Sequence, residues 1–91
     1  MRFVWDEAKR QSNIRKHGLD FADAEAVFAE LTFTFEDERF DYSERRHITL
    51  GLIEGLVVAV AHTESNQVIR VISMRKATKR EQKLYLESVT N

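Results

Sequence analysis

The spacing of apolar residues changes near residue 32 from a helical period to alternation, and this change limits the possible folds more than any other feature. Beyond it, apolar and polar residues alternate as on half-buried strands. Before it, apolar residues recur three or four positions apart, as on one helix face that we expect to lie in the core: Phe21, Ala24, Val27, Phe28 and Leu31. Helices followed by a strand-rich segment predict an α+β fold.

Capping signals set the boundaries of the first helix. Residues 2–5 are apolar and aromatic, and they predict an edge strand. Asp6 can cap a helix that ends at His17, because Gly18 readily adopts the left-handed conformation that stops helices. The helix has few apolar residues, and one of its faces is a polar, basic stripe that consists of Lys9, Asn13 and Lys16.

The alternating segment predicts a small antiparallel sheet. A second helix begins near Asp20, ahead of this segment. Tight turns are indicated at 54–55 and at 65–66. Thr78 and Glu81 have the spacing of a capping box and open a C-terminal helix. The expected strands are 32–35, 45–52, 56–62 and 68–74.

Length and composition exclude several classes of protein. The chain has 91 residues, so we expect a single domain over 1–91. It has no cysteine, which excludes disulfides, thiolate catalysis and cysteine-bound metal clusters. No apolar run reaches the ~18 residues of a membrane span, and the first residues are too polar for a signal peptide. These features predict a cytoplasmic protein that makes no contact with a membrane.

The charges are unevenly distributed along the chain. Residues 1–18 carry five basic and two acidic side chains, whereas residues 20–44 carry nine acids and one arginine. Residues 65–91 are basic again, with six basic and two acidic side chains. If the fold brings both ends together, one surface suits phosphate and another suits a basic partner. Alternatively, these charges only solvate exposed faces.

The three histidines do not have the spacing of a local metal site. His17, His47 and His62 are never three or four residues apart, so we expect neither a metal nor another cofactor. Alternation places Arg45 and His47 on one strand face, and His62 lies on the neighbouring strand. Together they could carry protons at neutral pH. The alternative is two solvent-facing histidines on an ordinary sheet.

Basic residues surround the end of the last strand. Arg75 follows the strand, and its guanidinium could hold the charge that develops on a phosphate. Arg70 lies within the strand and could instead pair with an acid such as Glu64. No P-loop, Rossmann glycine pattern or G-x-S-x-G motif is present, which excludes nucleotide-dependent enzymes and serine hydrolases. A basic stripe continues into the C-terminal helix at Lys76, Lys79, Arg80 and Lys83.

Several motifs in this order resemble the BrnT family of toxins over nearly the whole chain. They are Val4-Trp5-Asp6-Glu7-x-Lys9, Asn13-x-x-Lys16-His17-Gly18-Leu19-x-Phe21, Glu44-Arg45-Arg46, His62-Thr63-Glu64 and Ile69-Arg70-Val71-Ile72-Ser73-Met74-Arg75-Lys76-Ala77-Thr78. One departure is Met74, where the family usually has alanine. The resemblance implies a RelE-like fold with a small antiparallel sheet, two N-terminal helices and one C-terminal helix. It also implies a metal-independent ribonuclease of a type II toxin–antitoxin system.

The implied partner is a BrnA-like ribbon-helix-helix antitoxin, and operator DNA would be bound only through the complex of the two proteins. Cleavage would proceed by attack of a 2′-hydroxyl on the adjacent phosphate, with Arg75 as the main phosphate contact. The candidate catalytic residues are Lys9, Arg45, Arg46, His47, His62 and Arg75, and the candidate RNA-binding residues are His17, Lys76, Lys79, Arg80 and Lys83. The alternative is a module that binds nucleic acid or an antitoxin without catalysis.

Overall fold

The structure, a computed structural model, describes residues 1–38 and 43–90. The described residues form an α+β fold, as the change of period predicted. The elements are β1 (Arg2–Val4), α1 (Glu7–His17), a 3₁₀ turn (Phe21–Asp23), α2 (Ala24–Ala29), β2 (Phe33–Glu36), β3 (His47–Ile53), β4 (Leu56–Ser65), β5 (Val68–Lys76) and α3 (Lys79–Thr90). Among these described helices, none is long and apolar enough to cross a membrane.

The strands of the described residues form one mixed sheet in the order β1-β5-β4-β3-β2. From β5 to β2 neighbouring strands are antiparallel, whereas β1 pairs with β5 in parallel. The expectation of a purely antiparallel sheet is therefore wrong at β1. Of the elements that the structure describes, two helices and three strands separate β1 from β5 in the chain. No hairpin fixes the direction of β1, and its pairing is decided by tertiary packing.

Both turns of the β3–β4–β5 meander have the left-handed backbone of tight hairpins. Glu54 and Gly55 have φ angles of 49° and 80°, at the position that the sequence indicated. The second turn uses Asn66 and Gln67, with φ angles of 51° and 64°. It falls one residue later than expected, because β4 extends through Ser65.

The β4–β5 pairing contains a bulge. Ala61 lies opposite Ser73 and His62 lies opposite Val71, so Ile72 is an extra residue of β5. A bulge of this kind shifts the alternation of a strand by one position. The core side of β5 accordingly changes from odd positions, Ile69 and Val71, to the even position of Met74.

Helices cover both faces of the sheet. Leu50 and Ala59 pack with Tyr85 of α3 in one cluster. The other cluster lies on the α2 side and contains Phe21, Ala24, Val27, Val58, Val60, Ile69, Val71 and Met74. One alternative from the sequence was that the strand face of His47 meets solvent, but Thr49 on the same face is fully buried. That alternative is wrong because α2 covers this face.

Two positions show how α2 fits the sheet. A Cβ added to Gly51 of β3 would lie only 2.6 Å from Val27 Cγ1, so the absent side chain allows the close approach of α2. Leu31 was expected in the core, yet it is 67% exposed. The reason is that α2 ends at Ala29, before the helical stripe reaches Leu31.

Helix caps form as the sequence predicted. The Asp6 carboxylate accepts a 3.0 Å hydrogen bond from the Lys9 backbone N–H, and Gly18 ends α1 with φ 71°. At α3, the Glu81 N–H donates to the Thr78 hydroxyl at 3.1 Å, and the Thr78 N–H donates to the Glu81 carboxylate at 2.9 Å. The capping box therefore fixes where the Glu81 side chain lies.

Candidate nucleic-acid interface

Asn13 of α1 completes the edge of β5. β1 pairs with β5 only as far as Arg70, so the following part of β5 faces α1 instead of a strand. Asn13 is 6% exposed, and its amide pairs with both backbone groups of Met74. Its Nδ2 donates to the Met74 carbonyl at 2.9 Å, and its Oδ1 accepts from the Met74 N–H at 3.1 Å. Nδ2 also donates to the Leu19 carbonyl at 2.9 Å, so one side chain holds three backbone groups.

An open cleft of about 200 Å³ lies beside this contact, between α1 and β5. It includes two residues that sequence reasoning singled out, Lys9 as catalytic and His17 as RNA-binding. Sequence reasoning did not assign Lys16 a role, although the polar stripe of α1 contains it, and it missed the hydroxyls of the cleft. None of the described lining residues is acidic; they are Lys9, Ser12, Asn13, Lys16, His17, Ile72 and Ser73.

Arg75 forms a two-point ion pair with Glu81. Its Nη1 lies 2.7 Å from Glu81 Oε1 and its Nη2 lies 3.1 Å from Oε2. These bonds from Arg75 hold the pKa of the Glu81 carboxyl below its usual range, although burial opposes the shift. Arg75 follows Ser73 by two residues but is not among the described lining residues of the cleft. The sequence identified Glu81 only as a helix cap.

The remaining basic candidates of the C-terminal region are exposed. Arg80 and Lys83 line a shallow groove of about 430 Å³ together with Leu84 and Glu87. Lys83 lies 4.0 Å from Glu87 one turn along α3, a distance at which the attraction is weak in water. Lys76 and Lys79 are exposed where β5 passes into α3. Lys79, Arg80 and Lys83 form the basic face of α3, and Lys76 at the end of β5 adds a further charge beside it.

Arg45 and Arg46 lie just before β3, on the side of the sheet that carries β2. The Arg45 side chain is exposed, and its Nη2 lies 3.2 Å from the Glu36 carboxylate. Arg46 is half-buried, and its carbonyl accepts a 2.8 Å hydrogen bond from the Asp37 N–H. Neither arginine is among the described lining residues of the α1–β5 cleft.

Arg70 forms an ion pair with Glu44, in the segment before β3. Arg70 thus pairs with an acid, as the alternative expected, but the acid is Glu44 and not the suggested Glu64. Glu64 lies opposite Ile69 in the β4–β5 register, so the pleat turns it to the face of Ile69. Arg70 follows Ile69 in β5, so its side chain points to the other face of the sheet, where it can reach Glu44.

His47 and His62 lie directly opposite each other on β3 and β4. Their rings are stacked, with centroids 5.8 Å apart. His62 is 1% exposed, and the ring of Phe28 meets it edge-on at 5.2 Å. Its Nε2 lies 2.7 Å from the Thr49 hydroxyl, which in turn lies 2.7 Å from the Thr34 hydroxyl. The polar chain is therefore His62, Thr49 and Thr34, of which His62 and Thr49 are buried and Thr34 is exposed.

The His62 ring is neutral at neutral pH. Burial lowers its pKa from 6.5 to about 4, and the nearby His47 adds to this shift. A ring with 1% exposure presents no surface to a phosphate. The structure thus brings the two histidines together but encloses one of them.

Among the described residues, no three His, Cys, Asp or Glu side chains are placed so that they could hold a metal ion.

A comparison of the sequence with protein families shows the family of this chain. The family model of the ribonuclease toxin BrnT, from type II toxin–antitoxin systems, matches residues 5–81. The chain belongs to the BrnT family. No curated protein sequence matches it. As a family member, it is a ribonuclease toxin that acts on RNA and is countered by an antitoxin.

The matched segment includes both features built above. It begins at Trp5, before the residues of α1 that line the cleft, and it ends at Glu81, the partner of Arg75. The basic face of α3 extends beyond it, since Lys83 lies outside the match. The match therefore covers both the cleft and the Arg75–Glu81 pair.

Proposed function

We propose that this toxin cleaves RNA without a metal ion, by attack of a ribose 2′-hydroxyl on the adjacent phosphate. The observation that carries the proposal is the guanidinium of Arg75, held by two hydrogen bonds to Glu81 at the end of β5. The reaction needs alignment of the hydroxyl, removal of its proton, stabilisation of the phosphorane and protonation of the leaving 5′-oxygen. A guanidinium that is already oriented before RNA binds is best suited to stabilise the phosphorane.

The ion pair with Glu81 orients Arg75 but also reduces the positive charge that Arg75 presents to a phosphate. The carboxylate offsets part of the positive charge of Arg75, so further cations are needed where negative charge develops. Lys9 supplies one from the cleft, and Lys76 supplies another beside Arg75. Arg45 and Arg46 stay secondary candidates on the β3 side. Hydrogen bonds to Glu81 limit the rotation of Arg75, so little side-chain entropy is lost when phosphate binds.

We assign proton transfer to residues with exposed surface. Enclosure of His62 excludes direct contact with RNA, and we infer a structural role for it. His47 is half-buried and Lys9 is exposed, so both can approach a ribose. A positioned general acid or base typically accelerates a reaction about 10²–10⁴-fold.

The decisive experiment compares two arginine variants. Arg75→Ala, incubated with RNA in excess chelator, is expected to cut at least about 10²-fold more slowly than the parent protein, because the phosphorane loses its fixed cation. Arg15→Ala removes an exposed arginine of α1 outside the described lining of the cleft, and its rate should stay unchanged. Thermal unfolding of both variants checks that they are folded. Cutting by Arg75→Ala at the parent rate would contradict the assignment, and loss of the parent's activity in chelator would contradict metal independence.

A second candidate function is binding of RNA without cleavage, favoured by the exposed basic face of α3. Both functions predict a steep dependence of RNA affinity on salt, so a salt titration does not separate them. Intact RNA in the presence of the folded parent protein, together with tight binding, would support the binding module. Appearance of fragments that depends on Arg75 supports the nuclease.

We also propose that a BrnA-like ribbon-helix-helix antitoxin neutralises the toxin in the cytoplasm, and that operator DNA is bound only through their complex. The helix and strand layout is consistent with a RelE-like fold of one domain over 1–91. The basic face of α3 and the acidic segment 20–44 would attract opposite charges on the antitoxin. Reversing Arg80 and Lys83 to Glu should weaken the complex, measured by titration calorimetry. Unchanged affinity would discard this role of α3.

A further inference from the structure

We propose that the α1–β5 cleft binds a backbone phosphate of the RNA strand next to the cleaved bond. This inference rests on the proposed function, since it names where the same RNA strand is held. The ligand is a phosphodiester flanked by ribose, and the cleft provides charge, hydroxyl donors and a rigid wall. Each of these properties follows from residues already described.

The charge comes from one helix face. Lys9 and Lys16 are spaced by about two turns of α1, so they project to the same side, and the ring of His17 lies beside Lys16 in the lining. The acids nearest in sequence are engaged elsewhere, since Glu7 and Asp20 both bind Arg10. The described lining of the cleft therefore carries positive charge that no lining carboxylate offsets.

The hydroxyls come from Ser12 on α1 and Ser73 on β5, which line opposite walls of the cleft. The bulge at Ile72 places Ile72 and Ser73 in succession along this wall. Bulges often redirect side chains beside functional sites, and here the redirected residue supplies a donor. Charged and neutral donors on two walls match the several acceptor oxygens of a phosphodiester.

The rigidity comes from Asn13. Its three hydrogen bonds to the Met74 and Leu19 backbones fix α1 against β5, so the distance between the walls does not depend on a flexible loop. The volume of about 200 Å³ equals that of roughly six or seven waters, which accommodates a phosphate with part of its ribose. A preformed site of this kind loses little entropy on binding.

The cleft is also close to Arg75. Ser73 precedes Arg75 by two residues, and a strand advances about 3.3 Å per residue, so their Cα atoms lie about 6–7 Å apart along β5. One RNA strand can therefore contact the cleft and Arg75 together. This places the bound phosphate beside the one that reacts.

The test uses Lys16, which has no part in the proposed chemistry. Lys16→Ala and Arg15→Ala are compared for binding to an RNA oligonucleotide whose 2′-hydroxyls are methylated, so that it cannot be cleaved. Both residues are cations in the last turn of α1, where they offset the negative end of the helix dipole. Of the two residues, only Lys16 lines the cleft. Both variants should therefore change helix stability alike, whereas only Lys16→Ala should change RNA affinity through the cleft.

We expect Lys16→Ala to weaken binding about three- to tenfold and to lower the slope of log K against log salt by about 0.7, the value for one phosphate contact on a single strand. Arg15→Ala should change neither quantity. Equal affinities of the two variants would overturn the proposal. A second result would also overturn it: if Lys16→Ala weakens binding of inorganic phosphate but leaves RNA affinity unchanged, the cleft binds small anions and not the RNA backbone.

Because the oligonucleotide cannot be cleaved, the result is independent of the nuclease assignment. If the parent protein cleaves no RNA but Lys16→Ala still weakens binding, the proposed reaction fails and the phosphate site stands. If the parent cleaves RNA and Lys16→Ala binds it as Arg15→Ala does, the site fails and the reaction stands.

Discussion

The cleft and the polar chain use similar side chains in opposite ways. Each contains a histidine and two hydroxyls, yet the cleft is open and cationic, whereas His62 and Thr49 of the polar chain are enclosed and neutral. The two histidines differ in burial, because the enclosed His62 ring is neutral and packs against Phe28. Chemistry-bearing residue types therefore indicate a functional site only once their exposure is known.

This comparison makes a general prediction. Variants of enclosed polar groups should change stability and leave RNA affinity intact, whereas variants of exposed cleft groups should do the reverse. Asn13 lies at the boundary between the two classes, since it is buried but lines the cleft.

The largest loss of stability is expected for Asn13→Ala. The variant leaves the N–H and the C=O of Met74 without their partner inside the protein, which costs about 2–4 kcal/mol of unfolding free energy. Urea denaturation measures the loss, and Ser12→Ala, on the same cleft but exposed, is the matched control at less than about 0.5 kcal/mol. Equal stabilities of the two variants would show that Asn13 does not hold β5.

The pH dependence of stability tests the enclosure of His62. Its pKa is about 4 in the folded protein and 6.5 when unfolded, so the unfolded chain binds the additional proton between these values. Stability therefore falls as the pH is lowered through this window, by about 3 kcal/mol between pH 7 and pH 4. His62→Gln keeps a partner for Thr49 and does not titrate. Urea midpoints of the two proteins should converge on acidification; parallel curves would mean that His62 is not enclosed.

Close packing of α2 on β3 predicts a loss for Gly51→Ala. The new methyl group would meet Val27 Cγ1 at 2.6 Å, and overpacking of this kind costs about 1–3 kcal/mol. Measured in the Val27→Ala background, where the obstructing carbon is absent, the cost of Gly51→Ala should fall. An unchanged cost would place the clash elsewhere.

The smallest effects on stability are expected from exposed groups. Thr34→Val removes the hydroxyl at the exposed end of the polar chain and should cost about 0.5–1.5 kcal/mol without changing RNA affinity. Lys9→Ala should cost less than about 0.5 kcal/mol, because its backbone N–H still binds Asp6, but it should weaken RNA binding. Thermal unfolding and a filter-binding assay on the two variants measure both quantities. The reverse ranking in either assay would contradict the comparison.

Features determined by neighbouring residues were predictable from the sequence. Asp6, Gly18, Thr78 and Glu81 mark the ends of helices through local hydrogen bonds, and the turn at Glu54–Gly55 needs only the left-handed backbone. Such signals act over a few residues, so one sequence suffices to identify them.

Features that depend on distant contacts were not predictable in the same way. The parallel pairing of β1 and the cover of α2 over Thr49 arise from packing across the whole chain. Asn13 and Met74 lie 61 positions apart, and only the position of Asn13 in the polar stripe of α1 hinted at its role. The sequence also assigned Glu81 to a cap without indicating that the same carboxylate orients Arg75.

The short β1 strand has a consequence for solubility. Where β1 stops, an amide side chain from a helix occupies backbone groups of β5 that would otherwise be available to a strand of another molecule. A folded protein without that amide would have a short unpaired strand edge, and at high concentration it should self-associate through strand pairing. Asn13 thus protects the open edge of β5 from pairing with other molecules.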